Sequence, residues 1–538
     1  MERFDYVVVG AGTAGCVVAS RLSEEPGARV LLLEAGGSDR TLWIQLPIGY
    51  GRTFFDRKIN WMYDTDLVPG LNFRSSYWPR GRVVGGSGSI NAMVYVRGRP
   101  EDFDDWRALG NPGWGFADVL PYFRKSEDHD WGDSAFHAAG GPMHVTDISG
   151  RVHPLCATFV EAARQLGFAA TADFNGPEGE GVGVYQINTR AGVRASTANA
   201  FLRPALNRRN VKLETRALAT RVLIEGGRAT GVAYTRHGRE VSVAARREVI
   251  LCGGAINSPQ LLQLSGIGDP ADLAAAGVAV RHGLPAVGKN LADHLAVSYF
   301  YRSRTPTLND ELRPLWGKVR AGLRYLWDRG GPLAMSVNQG GGFVRSGAGL
   351  GRPDMQLYFS PVSYTQTPLA ARKLLNPDPF SAFLLSFNAC RPTSRGDMAI
   401  VSPDPRRAPR IRPNYLATAQ DVADAVTGAR LLRRLAGTRP LADIITDEIL
   451  PGFDVKTDED LLADFRARAD TVYHPVGTCA MGPDARGAVV DSRLRVHGVS
   501  GLRVIDASVF PTITSGNTNA PTVMVAEKGA DMIRQDWK

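Results

Sequence analysis

The sequence is poor in cysteine and has no metal-ligand pattern built on it. Its five cysteines stand far apart, and neither a Cys-x-x-Cys pair nor a cysteine–histidine cluster occurs. An odd number of scattered thiols is typical of a reducing compartment and not of a disulfide framework. The sequence therefore predicts reduced thiols, a cytoplasmic location and no metal site.

Long apolar runs and blocks of one charge are also missing. No stretch of about 18 apolar residues occurs, so no spanning helix is predicted, and the chain opens on a strand pattern and not on a secretory leader. The 63 basic and 54 acidic residues are interspersed. This spread argues against a nucleic-acid partner. A peripheral contact with the inner face of an anionic membrane stays open, although no amphipathic anchor stands out.

Glycine is abundant, with 59 residues in a chain of 538, a length that predicts two or three domains. The first glycine cluster lies between two apolar runs, residues 4–9 and 30–33, which predict buried strands. Gly10-x-Gly12-x-x-Gly15 follows the first run, and residues 16–22 repeat apolar side chains at helical spacing. This order of strand, glycine turn, helix and strand is typical of a dinucleotide-binding unit.

Each residue type in that unit has a physical reason. Gly10 permits the tight turn, Gly12 lets the backbone approach a pyrophosphate, and Gly15 lets the helix pack close to the strand. The helix start offers free N–H groups to phosphates. Glu34, at the end of the second strand, is placed to accept hydrogen bonds from a ribose. The motif predicts a bound dinucleotide and leaves NAD and FAD as alternatives.

Later segments return to this pattern. Residues 81–91 are dense in glycine and suit backbone laid against a flat ligand, and the aromatic-rich loop before them, which contains Trp61, is interpreted as a cover over the cofactor. A strand over 247–251 runs into small residues. Another, over 502–505, ends at Asp506, and a helix is predicted over 522–533. The nucleotide domain is therefore predicted to be discontinuous.

The pattern changes between about residues 296 and 469. Candidate strands over 343–345, 355–360 and 382–388 alternate with amphipathic helices over 315–327 and 419–435. This mixture favours a sheet with helices on one side, and we interpret it as the substrate-facing domain.

Four stretches together resemble the glucose–methanol–choline flavoprotein oxidoreductases. Residues 81–91 resemble the first signature of that family, residues 254–268 its second, residues 473–478 its catalytic-histidine segment, and residues 516–521 its closing active-site segment. The resemblance covers essentially the whole chain, in order, and is strongest to bacterial alcohol and choline dehydrogenase-like members.

The resemblance implies an α/β fold with a discontinuous Rossmann-like FAD-binding domain and an α+β substrate domain whose sheet is mainly antiparallel. We assign residues 1–155, 192–295 and 470–538 to the first and residues 156–191 and 296–469 to the second. It implies FAD as the cofactor. The FAD is predicted to be noncovalent, because Ile90 stands where covalent members have a histidine.

The resemblance also implies the chemistry, which is oxidation of an alcohol to an aldehyde or ketone. His474 is predicted to remove the hydroxyl proton while a hydride passes to flavin N5, because imidazole titrates near neutral pH. Asn517 is predicted to bond the alcohol oxygen, with Asn519 as the alternative. His294 is expected to have a structural role. The predicted cofactor-binding residues are Gly10, Gly12, Thr13, Ala14, Gly15, Glu34, Ala35, Trp61, Arg82, Val84, Gly85, Gly86, Asn91, Ala92, Met93, Val94, Val222, Asp506, Ala507, Asn517 and Thr518.

Other functions stay open on the sequence alone. A lyase that splits cyanohydrins, a light-driven decarboxylase or a flavin-binding scaffold without turnover would use the same fold. Oxygen, a quinone or a carrier protein is expected as the electron acceptor, and a monomer or a homodimer is expected as the assembly. The sequence does not identify the alcohol.

Overall fold

The computed structural model describes residues 1–365 and 376–538. Within these residues the chain forms two large sheets of seven strands each, together with several two-stranded ribbons. The main hydrophobic clusters follow the two sheets, one around residues 4–9 and 249–252 and the other around residues 355–359 and 383–387. The fold is thus a mixed α/β arrangement with two cores.

The first sheet contains the glycine turn. Its parallel part runs Val211–Thr215, Val30–Glu34, Glu2–Val9 and Arg239–Leu251, with Leu502–Val504 added beside the end of the last strand. Its antiparallel part continues through Arg228–Arg236 and Ala217–Glu225. Because parallel strands end at one edge, residues that follow Val9, Leu33, Leu251 and Val504 converge there, where ligands of such sheets bind.

The second sheet is antiparallel, as expected. Its strands follow the order Ile445–Leu450, Leu295–Ser303, Ala382–Ala389, Met355–Ser360, Gly340–Val344 and Gly181–Val184, and Asp470–Thr471 also pairs with Leu295–Ser303. Helix Ala419–Ala436 packs against Ala382–Ala389. This sheet therefore includes residue 470, which the sequence assigned to the other domain, and the domain boundaries themselves stay a prediction.

The first and last long helices lie against each other. Arg21, in Thr13–Leu22, donates from Nη2 to Glu527 Oε1 at 2.6 Å, and Glu527 belongs to Asn519–Asp536. At the other end of the pair, Thr13 Oγ1 donates to Asn519 Oδ1 at 3.0 Å. The two helix N-termini are therefore neighbours. The helices of eight or more residues are Thr13–Leu22, Pro100–Ala108, Phe116–Ser126, Leu155–Gln165, Gly254–Leu264, Leu315–Asp328, Ala419–Ala436, Asp458–Arg468 and Asn519–Asp536.

Shorter helical segments connect these elements. They are Leu42–Gln45, Tyr50–Thr53, the π-helical Ala198–Leu202 with Arg203–Ala205, Pro270–Ala275, Leu308–Leu312 and Arg439–Ala442, and the 3₁₀ turns Pro47–Gly49, Pro69–Leu71, Gly86–Ser89, Ser149–Arg151, Pro332–Ala334 and Ala507–Val509.

The sequence-based element bounds needed two corrections. The strand predicted over 247–251 is the last part of a longer strand, Arg239–Leu251. The helix predicted over 522–533 begins earlier, at Asn519, and ends later, at Asp536.

No helix in residues 1–365 or 376–538 combines the length and the apolar character that crossing a bilayer needs.

Candidate active site

A cavity of about 590 Å³ runs from the glycine turn to the catalytic-histidine segment. Residues of both sheets line it, including Val9 of the first and Ser298 of the second. Most of the predicted site residues line it, namely Gly10, Gly12, Thr13, Ala14, Glu34, Ala35, Trp61, Gly86, Asn91, Ala92, Met93, Val94, His474, Asp506, Ala507, Asn517 and Thr518.

The glycine turn is built as the sequence predicted. Gly10 has a φ of +99°, and a Cβ on it would lie 2.6 Å from the carbonyl oxygen of Cys252. A Cβ on Gly15 would lie 1.8 Å from the carbonyl oxygen of Gly10. A Cβ on Gly12 meets no heavy atom closer than 3.8 Å and faces the cavity. Gly10 and Gly15 therefore keep the backbone compact, whereas Gly12 keeps space open for a ligand.

Glu34 is tied to the backbone of this turn. Its Oε2 accepts from Ala11 N at 2.9 Å, and its Oε1 accepts from Gly36 N at 2.7 Å. Burial raises the pKa of the Glu34 carboxyl to about 7, and the two N–H donors oppose that rise. The carboxyl lies at the cavity wall, in the position from which it could also bond a ribose hydroxyl.

Asp506 has a similar arrangement at the neighbouring strand end. One oxygen accepts from Gly254 N at 2.8 Å and from Ser258 Oγ at 2.6 Å, and the other accepts from Ser508 N at 2.8 Å. These bonds tie three chain segments at the edge of the first sheet to one carboxylate.

The loop of residues 91–94 is held in a conformation that few side chains adopt. Met93 has a φ of +65°, and its N–H donates to Asn91 Oδ1 at 3.1 Å. Asn91 Oδ1 also accepts from the buried Arg194, at 2.7 Å. Backbone in this region costs energy and is retained where the surroundings require it. Here it turns the loop along the cavity, where a planar ring would contact backbone.

Five predicted cofactor residues are not part of the cavity wall: Gly15, Arg82, Val84, Gly85 and Val222. Gly15 contributes through packing, as described above. Arg82 donates to the carbonyl of Arg57 at 3.0 Å, and its guanidinium lies over the ring of Trp61, 5.4 Å from the ring centroid. These residues support the site indirectly.

The other three residues, Gly85, Val84 and Val222, make backbone or core contacts near the cavity wall. Gly85 N donates to Ala11 O at 2.6 Å, and Val84 and Val222 lie in the core of the first sheet. The neighbouring residues 217–219 line the cavity instead of Val222. Only the start of this strand, Ala217–Glu225, reaches the cavity, and the sequence could place the strand at the site without fixing which part of it lies there.

His474 stands between the two sheets and is buried. Its Nδ1 lies 3.0 Å from Nδ1 of His294, whose Nε2 donates to the carbonyl of Cys390 at 2.9 Å. Because His294 uses its proton on that carbonyl, its Nδ1 accepts, and His474 must be protonated on Nδ1. The bonding pattern thus leaves His474 Nε2 unprotonated, so this nitrogen can accept a hydrogen bond or a proton. His294 was expected to be structural, and the fold brings it into direct contact with His474.

Asn517 faces the basic nitrogen. Its Nδ2 lies 3.1 Å from His474 Nε2, and its Oδ1 accepts from Gln356 Nε2 at 3.4 Å. Gln356 Nε2 also donates to Tyr185 Oη at 3.3 Å, and Tyr185 donates to the carbonyl of Leu357 at 2.7 Å. The chain of bonds orients the Asn517 amide with its donor toward His474. Neither Gln356 nor Tyr185 was predicted, since neither carries a motif.

Charge around His474 favours its neutral form. Burial lowers the pKa of His474 well below the usual value, and His294 and the positive charge of Arg80 lower it further. Burial likewise lowers the pKa of His294 to about 4. Asp293 Oδ1 accepts from the backbone N–H of His474 at 2.8 Å, and its other oxygen accepts from Thr471 Oγ1 and Tyr415 Oη. The imidazole is held rigidly and stays neutral, which suits a proton acceptor.

A second histidine cluster lies away from this cavity. Ligand atoms of Glu127, His129 and His137 approach within 4.8 Å of one another. Glu127 pairs with Arg97 at 2.6 Å, and His137 bonds both Glu127 and Asp173. The guanidinium and the two carboxylates account for these contacts as a buried ion-pair network. That the protein needs no metal remains a prediction.

The residues present fit FAD. Two helix N-termini, at Thr13 and Asn519, meet beside the cavity and favour anionic groups. The open face of Gly12, the carboxyl of Glu34 and the strained loop of residues 91–94 complete a surface for a phosphate, a ribose and a planar ring. Ile90 lies at the wall with a hydrocarbon side chain, so we expect the cofactor to be held without a covalent bond.

Comparison with known proteins agrees with this site. The GMC oxidoreductase family profile matches residues 4–296 with its N-terminal part and residues 392–526 with its C-terminal part. Mitochondrial choline dehydrogenase of Mus musculus is 45% identical over 99% of this chain and 90% of its own length. Alcohol dehydrogenase [acceptor] of Pseudomonas putida is 40% identical over 98% of this chain and 95% of its own length.

Solved structures show the same fold. Pyridoxine 4-oxidase from Mesorbium loti superposes with a TM-score of 0.89 at 31% identity, with 99% of both chains covered. These relatives are dehydrogenases and oxidases and give no support to a lyase. The chain therefore belongs to the GMC oxidoreductase family, and it is an FAD-dependent enzyme that oxidises CH–OH donors.

Proposed function

We propose that His474 Nε2 takes the hydroxyl proton of a primary or secondary alcohol and that Asn517 holds the alcohol oxygen. The observation that carries this proposal is the bonding pattern in which His474 gives its Nδ1 proton to His294. An alcohol oxygen within reach of both side chains can donate to His474 Nε2 and accept from Asn517 Nδ2. The charge that develops on that oxygen is then stabilised by a fixed amide donor.

FAD, when bound, supplies the hydride acceptor. We propose that Gly12, Thr13 and Glu34 hold its nucleotide end and that residues 91–94 and the start of helix Asn519–Asp536 hold its ring. The protein's own contribution is to position the alcohol, to keep His474 neutral and to exclude water from the buried imidazole.

We propose a neutral alcohol with an apolar or aromatic body as the substrate. The cavity wall contains Tyr50, Phe54 and Tyr473, and the ring of Phe54 lies tilted against Tyr50 and edge to face with Tyr473. Arg80, on the same wall, donates to the carbonyl of Tyr473 at 2.8 Å. Its positive charge disfavours a cationic substrate close to His474.

Choline is the second candidate. Aromatic rings can hold a quaternary ammonium by cation–π attraction, and several relatives are named choline dehydrogenase. An anaerobic titration separates the two candidates. Choline and its neutral carbon isostere, a dimethylbutanol, are added with benzyl alcohol and short alkanols, and loss of the oxidised-flavin absorbance is followed. Faster bleaching by the neutral compounds supports the proposal, whereas faster bleaching by choline contradicts it.

The electron acceptor is proposed to be oxygen or a quinone. Two measurements are compared: the peroxide yield in air, and the rate at which a soluble quinone analogue is reduced in the absence of air. A high peroxide yield identifies an oxidase, and fast quinone reduction with little peroxide identifies a dehydrogenase. If neither is found after the flavin has been reduced, both acceptors are excluded.

A further inference from the structure

An apolar surface lies on helix Leu315–Asp328. Six of its bulky side chains are exposed, which we call the helix 315 patch: Leu315, Trp316, Val319, Leu323, Leu326 and Trp327. Trp316 is 80% and Trp327 92% exposed, whereas the other exposed tryptophans, Trp131 and Trp537, are 43% and 38% exposed. The sequence identified this helix as amphipathic but suggested no membrane anchor. The structure shows that the apolar side of the helix faces outward.

The six side chains form one continuous face. At ~3.6 residues per turn they fall within an arc of about 120°. The opposite side carries Ala321 and Tyr325, which are buried, and Tyr325 Oη donates to the carbonyl of Gly192 at 3.0 Å. The helix is therefore fixed to the protein by a narrow side, and none of the described residues covers its wider apolar side. Soluble proteins seldom leave such a face uncovered without a partner.

Charge indicates the class of partner. Residues 313–329 contain five basic side chains and one acidic side chain, a net charge of +4 (five minus one). Around the helix, Arg320 and Arg324 follow one border of the patch and Lys318 the other, and all three are exposed. The ion pairs of the two arginines are long, 3.9 Å from Arg320 to Glu311 and 3.8 Å from Arg324 to Asp328. An apolar face with tryptophans and basic borders suits the interface of an anionic bilayer.

The patch is linked to the catalytic cavity. Ala321 and Tyr325 belong to the same apolar cluster as Tyr50, Met93 and Val337, and the last three line the cavity. The helix therefore rests on the outer side of the cavity wall.

We propose that the helix 315 patch docks the enzyme on the surface of an anionic lipid bilayer, with Trp316 and Trp327 inserted at the interface and the bordering basic residues on the headgroups. Docking brings the cavity wall to the membrane, where a lipid-soluble acceptor or alcohol would dissolve. The proposal concerns binding alone, so it does not depend on the identity of the substrate.

Vesicle sedimentation of the FAD-loaded enzyme tests it. Vesicles of phosphatidylcholine are compared with vesicles that also contain phosphatidylglycerol, at low and high salt. The enzyme is expected to bind the anionic vesicles and to be released by salt. The double variant Trp316→Ser/Trp327→Ser is expected to bind at least tenfold more weakly, and Arg320→Gln/Arg324→Gln is expected to lose most of the difference between the two lipid compositions.

Phe453→Ser is the matched control, because Phe453 is an exposed aromatic outside this helix. It is expected to bind like the wild type, and flavin content and turnover with a soluble acceptor should be unchanged in all variants. Absence of wild-type binding at low salt, or equal binding by the tryptophan variant, overturns the proposal. So does a wild-type dimer that the tryptophan variant dissociates in lipid-free sedimentation, because a second copy would then cover the patch.

Discussion

Nδ1 of His294 lies 3.0 Å from Nδ1 of His474, and the carbonyl of Cys390 fixes the direction of the proton between them. Two imidazoles can share this contact only if one donates and the other accepts. Because His294 donates its own proton to a carbonyl, it can only accept from His474. The second sheet, which has Cys390 directly after one strand and His294 directly before another, thus sets the tautomer of His474.

Replacing His294 tests this positioning role. In His294→Leu the Nδ1 proton of His474 loses its acceptor, and we expect flavin reduction by alcohol to slow at least about tenfold, since a wrong tautomer in a serine-protease triad costs ~10⁴-fold. His294→Asn, whose Oδ1 can still accept, should keep more of the rate. Stopped-flow reduction measures both, and the acid limb of the pH profile should move to higher pH in both variants, because each removes the imidazole that lowers the pKa of His474. Equal rates in the two variants would contradict the role.

The base itself is tested by His474→Ala. Removing a general base lowers the rate by about 10²–10⁴-fold, so anaerobic bleaching of the flavin should nearly stop while the protein keeps its FAD. Flavin absorbance after gel filtration gives the control for binding. Normal bleaching in this variant would contradict the assignment of His474 as the general base.

The hydrogen-bond chain on the other side of His474 predicts an effect of Gln356. Gln356→Leu leaves Asn517 Oδ1 without its donor, so the amide can rotate and present oxygen to the basic nitrogen. We expect a fall of kcat greater than the change in KM, because the donor acts on charge that develops during reaction. Gln356→Glu, whose protonated form could still donate, should regain activity as the pH is lowered. A change confined to KM would argue against this role.

The pH dependence follows from the lowered pKa of His474. The base works in its neutral form, so activity is complete above the lowered pKa and is lost only as the pH falls through it. We expect kcat/KM to be flat from mildly alkaline pH down to about 6.5, the ordinary histidine value, and to decline only below it. Arg80→Met removes a positive charge beside His474 and should raise the pKa of His474. Arg80→Lys keeps that charge and should leave the pKa of His474 near its wild-type value. A break at or above pH ~6.5 in the wild type would refute this.

Gly12 and Gly15 form a matched pair for the cofactor site. A Cβ at Gly15 would overlap the carbonyl of Gly10, whereas a Cβ at Gly12 meets nothing within 3.8 Å but projects toward the cavity. Gly15→Ala should therefore lower the melting temperature even without FAD. Gly12→Ala should leave apoprotein melting near normal and weaken FAD binding. Equal FAD affinity in Gly12→Ala and wild type would show that this face does not approach the cofactor.

The sequence by itself determined the local parts of this protein. The turn from Gly10 to Gly15, the strand ending at Glu34 and the family signatures could be predicted, because tight turns and helix starts depend on residues a few positions apart. The place of His474 at the site also followed from its signature. These features need no knowledge of distant contacts.

Only the tertiary structure decided the contacts that set the chemistry. His294 and His474 are 180 positions apart, and Gln356 and Asn517 are 161 apart, so no local spacing indicates that they meet. The same holds for residues 217–219, which reach the cavity where Val222 does not, and for helix Leu315–Asp328. The amphipathic pattern of this helix could be recognised from the sequence alone. Which of its sides faces solvent depends on how the helix packs into the cluster that contains Tyr50 and Met93.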